Sequence, residues 1–282
     1  MKRIGTFVGH ALCIGKARLL YDSLCQNTDL IGQYQFTVMT PEHLNLTVEV
    51  RGIEQINFDL PEEYKPIPFV DKLLAAAEFE RCCDDEYLWI DVDSCFFKTP
   101  VFPDAQICVN PVDMKNIGVS YGEPLSPMWR LIYDDFGLDI HGVGSVKTII
   151  SKDEIYPYYN AGMIRAKKPD GLFSEVRTAM TALLKTNEIK NQISSPLNRI
   201  FFHQAVFSCA IMKKYGKTVS PLPYGVNYPL HLRSKDTTPI PLEDIVSIRY
   251  DDYFDENEPP ERWADFFKGR EDALKSVWYY QM

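Results

Sequence analysis

Apolar, strand-like segments alternate with helix-like segments over the first third of the chain. The strand-like segments are Arg3–Val8, Tyr34–Met39, Leu46–Val50 and Tyr87–Asp91. Helices are predicted at Ala17–Leu24 and at Phe69–Arg81, where apolar residues recur at helical spacing. This alternation is typical of a mostly parallel sheet with helices on both faces, whose ligands bind at the carboxyl ends of the strands.

The second half is less regular. Its predicted elements are strands at Tyr158–Ile164 and Ile245–Tyr250 and helices at Met128–Phe136, Phe173–Leu184 and Gln204–Tyr215. The helix at Gln204–Tyr215 is apolar nearly all round and stops at Gly216, so we expect it to be buried. The tail from Glu261 should pack on the domain through its aromatic residues, which are Trp263, Phe266, Phe267, Trp278, Tyr279 and Tyr280.

Composition and charge exclude several classes of protein. The 282 residues carry a formal net charge of -9, which argues against unspecific binding to nucleic acid or anionic membranes. The seven cysteines form no CxxC pair, which favours free thiols in the cytoplasm over a disulfide framework or a zinc site. We predict neither a transmembrane helix nor a signal peptide, because no long apolar stretch and no small-x-small cleavage site are found.

Two aspartates follow the most apolar of the predicted strands. The segment YLWIDVDSCFFKTP runs from the apolar Tyr87–Ile90 directly into Asp91-Val92-Asp93. Side chains two apart in an extended chain point the same way, so Asp91 and Asp93 should face one site. Neighbouring carboxylates repel each other, and a hard divalent ion, Mg²⁺ or Mn²⁺, is the cation that suits oxygen ligands. The alternative is a solvated strand end with no ligand.

This segment resembles the metal-binding Asp-x-Asp segment of GT-A-type glycosyltransferases, and three later segments resemble the glycogenin and bacterial galactosyltransferase group. They are Tyr158–Ile164 (YYNAGMI), Phe202–Val206 (FHQAV) and Leu222–Tyr228 (LPYGVNY). The resemblance covers about residues 1–250. It implies a single GT-A domain over residues 1–282, with a mixed, mostly parallel sheet flanked by helices. Residues 1–110 would form the nucleotide-binding half, and residues 111–282 the sugar and acceptor half with a helical tail.

The resemblance also implies an activity. The chain would transfer a sugar from a nucleotide-diphosphate donor, with UDP as the expected nucleotide, to an acceptor that the sequence does not identify. Asp91 and Asp93 would hold Mn²⁺ or Mg²⁺ on the diphosphate, while Asn160, Ala161 and Gly162 would line the donor-sugar site. If the likeness extends to mechanism, the anomeric configuration is retained. An inverting enzyme would need a general base at the acceptor hydroxyl, for which His203 is the first candidate.

The sequence departs from the group at the third metal ligand. The group has a late histidine there, whereas the matching strand IVSIRYDDYF has Arg249 near that place. His231 and Asp251 are the substitutes that the sequence offers. Alternatively, Arg249 contacts the diphosphate directly, in which case the metal would bind weakly or not at all.

The remaining candidates each have an ordinary structural alternative. Thr6, Phe7 and His10 fall where the group binds the nucleotide base, and they could equally form an ordinary turn from strand to helix. Lys72 could reach a phosphate or be solvated. His203 and Gln204 should begin a helix, with Gln204 either near the anomeric carbon or acting as the helix cap.

Two other functions compete with transfer. Haloacid-dehalogenase-type phosphatases also end an apolar strand in Asp-x-Asp, but near the N-terminus and with a late GDxxxD segment, which this chain lacks. The other is a GT-A-fold protein that binds a nucleotide sugar without turnover, which Arg249 motivates. A nucleotidyltransferase would need an N-terminal glycine-rich phosphate loop, which we do not find.

Overall fold

A computed structural model describes residues 1–65 and 67–276. Its strands are β1 (Arg3–Phe7), β2 (Gln35–Pro41), β3 (Ile53–Phe58), β4 (Tyr87–Ile90), β5 (Ser94–Phe96), β6 (Ile107–Pro111), β7 (Val146–Lys147), β8 (Glu154–Ile155), β9 (Tyr159–Ala166), β10 (Tyr228–Pro229) and β11 (Ser247–Arg249). Its α-helices are α1 (Cys13–Asn27), α2 (Val70–Arg81), α3 (Pro127–Phe136), α4 (Leu172–Leu183), α5 (Asn187–Gln192), α6 (Pro196–Tyr215), α7 (Tyr253–Glu256) and α8 (Ala264–Phe267).

Six strands form the central sheet, in the order β3-β2-β1-β4-β9-β6. The first four run parallel, whereas β9 lies antiparallel between β4 and β6. The sheet therefore joins strands from both predicted halves of the chain. Because β9 runs opposite to β4, the start of β9 lies at the carboxyl end of β4, next to Asp91.

Both faces of the sheet are covered, which explains why β4 is apolar throughout. Tyr87 and Trp89 pack in the core formed with α2, α3, α4 and α6. Leu88 and Ile90 pack in the core on the opposite face, formed with α1. Alternate side chains of a strand point to opposite faces, so only an unbroken apolar run can satisfy both cores.

Glu80 joins α2, α4 and β4. Its carboxylate is 3% exposed and accepts hydrogen bonds from the backbone N–H groups of Leu172 (3.1 Å), Phe173 (2.9 Å) and Ser174 (3.3 Å). It also accepts one from the Tyr87 hydroxyl at 3.0 Å. A carboxylate at the first turn of α4 satisfies backbone donors that have no partner within the helix, so Glu80 fixes the position of α4 on α2.

A small sheet of order β10-β11-β5 brings the late part of the chain back to the Asp-x-Asp segment. β11 pairs antiparallel with β5, Ser94 opposite Arg249, and the Tyr250 N–H donates to the carbonyl of Asp93 at 3.0 Å. The described part of the tail packs here, with Trp263 stacked on Phe97 at 4.1 Å between ring centroids. Trp278, Tyr279 and Tyr280 lie outside the described residues.

Most predicted elements are present with shifted ends, but two predictions are wrong. The predicted strand at Leu46–Val50 has no regular structure, and the edge strand is Ile53–Phe58 instead. The helix predicted from Gln204 begins at Pro196, because the proline is favourable in a first helical turn. His203 and Gln204 therefore lie inside α6, and Gln204 is not its cap.

None of the helices in residues 1–65 and 67–276 is both long and apolar enough to cross a membrane.

Candidate functional site

A cavity of about 410 Å³ opens at the carboxyl end of β4, between β9, α6 and β11. This volume is in the range of small-molecule sites. The residues predicted from the sequence that line it are Lys72, Asp91, Asn160, Gly162, His203, Gln204, His231, Arg249 and Asp251. Segments that are far apart in the chain thus meet around one cavity.

Other predicted residues lie elsewhere. Thr6 and Ala161 are fully buried, and Phe7 packs in the core beside α2. His10 precedes α1, where its ring nitrogen Nδ1 accepts from the Leu12 N–H at 3.2 Å. A second cavity, of about 150 Å³, lies near the ends of β1 and β2 and is lined by Gly9, Pro41, His43, Leu44, Leu60, Lys65 and Asp71. It lies next to the segment predicted to hold the nucleotide base.

Asp91 is paired with Lys72. The Lys72 ammonium lies 2.9 Å from Oδ1 and 3.1 Å from Oδ2 of Asp91, and both side chains are largely buried. Helix α2 packs on one face of the sheet, and Lys72 reaches this carboxylate from that face.

Phe69, just before α2, has φ 63° in the left-handed region, and its ring lies 5.4 Å from the Lys72 ammonium and 4.9 Å from the His203 ring. A bulky residue rarely adopts this conformation, which is typical of functional sites.

Gly162 contacts both Asn160 and Asp91. The Asn160 side-chain oxygen accepts from the Gly162 N–H at 2.7 Å, and the Asp91 N–H donates to the Gly162 carbonyl at 2.6 Å. A Cβ atom on Gly162 would lie 2.7 Å from both Asn160 Oδ1 and Asp91 Oδ2. Glycine is therefore required here for space, because any side chain would displace two cavity residues.

Gln204 and His203 face the cavity from α6. The Ser208 hydroxyl donates to the Gln204 carbonyl at 2.6 Å and accepts from the Tyr159 N–H at 2.8 Å, which ties this part of α6 to β9. The side-chain oxygen of Gln204 is buried without a hydrogen-bond partner among the described residues. Burial and the nearby Lys72 charge hold the pKa of His203 well below its usual value, so its imidazole is neutral at pH 7.

Arg249 is clamped between two carboxylates. It is 5% exposed, its Nε lies 2.9 Å from Asp251, and its Nη2 is paired with Asp113. Asp251 also contacts Nδ1 of His231 at 2.9 Å. Burial opposes the charge on His231, but Asp251 outweighs it and raises the His231 pKa. The Nη1 group of Arg249 is buried and has no hydrogen-bond partner in residues 1–65 and 67–276.

Asp93 does not share the cavity with Asp91. The extended conformation ends at Ile90, and residues 92 and 93 form a turn before β5, so the extended geometry on which the prediction of a common orientation rested is absent here. Burial, then the negative charges of Asp251 and Asp91, raise the pKa of Asp93 to about 7.

The family described as Rhodobacterales glycosyltransferase domain matches residues 25–213. The chain belongs to this glycosyltransferase family. The match contains Lys72, Asp91, Asn160 and Gln204, and it ends before Arg249. No curated protein matches the chain in sequence.

Solved structures of glycosyltransferases share the fold. An active-site mutant of LgtC aligns over 98% of this chain and 97% of that chain, with 14% identity and a TM-score of 0.52. The apo form of GlyE from Streptococcus pneumoniae TIGR4 aligns over 96% of this chain and 60% of its own length, with 12% identity and a TM-score of 0.51. The bifunctional glycosyltransferase WbbM aligns over 99% of this chain with 12% identity and a TM-score of 0.51, and this chain spans half of its length. The predicted GT-A fold class is confirmed.

Sequence reasoning missed several cavity residues of this glycosyltransferase domain. They include Asp113, Asn116, Lys235 and Asp252. Asp113 follows β6, which we did not predict, although the apolar run ICV before Asn110 was a usable signal for a strand. Asn116 and Asp252 lie in turns, and Lys235 ends a short 3-10 helix, Leu230–Lys235; hydrophobic periodicity gives no signal for such short elements.

The residues of the predicted metal site fit a divalent cation poorly. Within residues 1–65 and 67–276, no group of three histidine, cysteine or carboxylate side chains is arranged to hold a metal ion. Both oxygens of Asp91 are taken by Lys72, and the two substitute ligands, His231 and Asp251, are paired with each other. Asp93 is not among the residues that line the cavity. The unpaired Nη1 of Arg249 is instead a donor suited to an anion.

Proposed function

We propose that the chain transfers a sugar from a nucleotide-diphosphate sugar to an acceptor hydroxyl, and that the large cavity holds the transferred sugar and the diphosphate. The observation that supports the proposal is that Asn160, Gln204 and Asp91 line one cavity. The family match supports the reaction class.

The free oxygen of Gln204 supports a ligand with hydroxyl groups. A buried acceptor without a partner costs on the order of 1–3 kcal/mol, so such groups normally serve a purpose. A sugar hydroxyl that donates to Gln204 would remove this cost. Asn160, held by the Gly162 N–H, would offer its amide N–H groups to the same ring.

In the proposed reaction, the bond between the anomeric carbon and the diphosphate oxygen breaks. The acceptor oxygen forms the new bond to that carbon and loses its proton, and the nucleotide diphosphate leaves. Cations at the cavity wall would stabilise the negative charge that develops on the leaving oxygen. Retention of the anomeric configuration is part of the proposal and rests on the likeness to the glycogenin group.

The smaller cavity by Gly9 is the proposed place of the nucleotide base, with UDP as the expected nucleotide. The halves 1–110 and 111–282 are proposed as nucleotide and acceptor halves. We also propose a cytoplasmic location, because all seven cysteines are free thiols. Mn²⁺ or Mg²⁺ held by Asp91 and Asp93 stays a prediction from the sequence.

Alanine substitutions at Asn160 and Gln204 test the proposal. Both variants should keep their affinity for the nucleotide diphosphate within about threefold, which is under roughly 0.7 kcal/mol. Release of nucleotide diphosphate from the sugar donor should fall at least about tenfold, or 1.4 kcal/mol of lost transition-state stabilisation. The donor would first be chosen from a thermal-shift panel of nucleotide sugars, because ligand binding raises the melting temperature.

Asn191→Ala and Gln26→Ala are matched controls, since both residues are exposed and lie outside the cavity. Turnover like that of the wild type in both cavity variants would remove the sugar site from this cavity. A donor that binds without any release or transfer would favour the binding protein without turnover, which the replacement of the expected histidine by Arg249 motivates.

A further inference from the structure

Two buried cations from distant parts of the chain face the cavity. Lys72 from α2 is 8% exposed and Arg249 from β11 is 5% exposed. Lys235 adds a third positive charge at the cavity wall. Burying a cation is costly unless it is paired, and both Lys72 and Arg249 are held in place by carboxylates.

The pairing leaves Arg249 with a free donor. The Nη2 group of Arg249 donates to Asp113 and its Nε donates to Asp251, while its Nη1 group is buried without a partner among the described residues. An arginine presents five N–H donors in a rigid fork and stays protonated, so Nη1 is a donor that only an added acceptor can satisfy. A phosphate oxygen is the acceptor that suits it in a sugar-nucleotide site.

The pairing and the positive charge of these residues disfavour the binding of a divalent cation. A metal ion on Asp91 would have to displace the Lys72 ammonium from both carboxylate oxygens. It would also meet the positive charge of Arg249, which stands near the position expected for a third ligand and cannot coordinate a metal.

We propose that Lys72 and Arg249 bind the diphosphate of the donor directly, so that binding requires no divalent cation. The inference rests on the proposed function, because it assumes that the cavity receives a nucleotide diphosphate. It assigns to the chain's own side chains the charge neutralisation that a metal would otherwise supply.

The first experiment uses the wild-type protein. Calorimetry would measure the affinity for UDP, GDP, ADP and inorganic pyrophosphate in EDTA and then with added Mn²⁺ or Mg²⁺. For every probe that binds, we expect the two conditions to differ by less than about fivefold, or 1 kcal/mol. A gain of about fivefold or more on adding metal overturns the inference and leaves the proposed function standing. If no probe binds in either condition, both fail.

The second experiment uses Arg249→Lys and Lys72→Met. In EDTA, each should weaken binding of the nucleotide diphosphate at least about tenfold and binding of the nucleoside by less than about threefold. Arg18→Lys and Lys217→Met are the matched controls, because both residues are exposed and lie outside the cavity. Equal losses for nucleoside and diphosphate in the folded variants would place these cations outside the phosphate site.

Circular dichroism melting shows whether each variant folds. Arg249→Lys keeps a positive charge between Asp113 and Asp251, which limits the damage to the fold. Should it nevertheless unfold, Lys72→Met carries the test, because Lys72 has a single carboxylate partner in the described structure and Asp91 lies at the open cavity.

Discussion

Adding one methyl group at Gly162 should disable the site without unfolding the protein. Gly162→Ala would place Cβ 2.7 Å from Asn160 Oδ1 and 2.7 Å from Asp91 Oδ2, where ordinary contacts begin at 3.4 Å. Gly162 is not one of the glycines with positive φ, so its backbone accepts alanine and the clash alone decides the outcome. One or both oxygens must move by several tenths of an ångström.

The two oxygens belong to groups that we place at the donor. Overpacking of this kind costs about 1–3 kcal/mol of stability. Misplacement of positioned groups by about 1 Å lowers rates by roughly a hundredfold, so a smaller shift should reduce turnover by about ten- to a hundredfold. Binding of the nucleotide diphosphate should also weaken, because Asp91 positions Lys72.

The assay combines thermal melting with release of nucleotide diphosphate from the donor. Gly144→Ala is the control, since a Cβ there has no atom within 4 Å and the residue has no positive φ. If Gly162→Ala melts and turns over like this control, the contacts of Gly162 with Asn160 and Asp91 have no role in the reaction.

Three further predictions concern stability. Glu80→Ala should cost about 3–5 kcal/mol in urea unfolding, because it leaves buried N–H groups of α4 without an acceptor; a loss below about 1 kcal/mol would contradict this. Ser208→Ala should cost about 1–3 kcal/mol and lower turnover, because the Tyr159 N–H loses its acceptor next to Gln204; unchanged melting and turnover would contradict it. The folded protein keeps the proton of Asp93 up to its raised pKa of about 7, whereas the unfolded chain loses it near 3.8. The contribution of Asp93 to the free energy of unfolding is therefore complete below pH 3.8 and is lost as pH rises through 7. In EDTA, Asp93→Asn should therefore become more stable relative to the wild type as pH rises from about 5 to 8, by at most about 3 kcal/mol; a difference in melting temperature that stays constant with pH would refute this.

The central strands could be predicted because burial on both faces leaves a strong signal. β4 reads as an unbroken apolar run, and both neighbouring helices repeat apolar residues at helical spacing. β3 was missed because an edge strand is only half covered, so IEQINF has no clear pattern. The start of α6 was missed because its first five residues, PLNRI, are mostly exposed and mix apolar with polar side chains, so they show no clear helical stripe.

The site residues could be predicted where a motif lies on a regular element, and their side-chain directions could not be predicted where the chain turns. Asp91 and Asn160 follow from motifs on β4 and β9. The direction of Asp93 depended on extended geometry that stops at Ile90. The partners of Arg249 could not be foreseen, because Asp113 lies 136 residues earlier and no local pattern links the two.

The distance between Asp113 and Arg249 along the chain has a consequence for synthesis on the ribosome. Strands β1, β4 and β9 and helix α2 can associate once residue 166 has emerged, which brings Lys72, Asp91 and Asn160 together early. Asp113 lacks its partner Arg249 until β11 is synthesised, and the pairing of β11 with β5 then completes the cavity wall. A nascent chain that is stalled or cut before β11 would therefore carry an open half-site with unbalanced negative charge, and activity would be gained only after residue 249 has emerged.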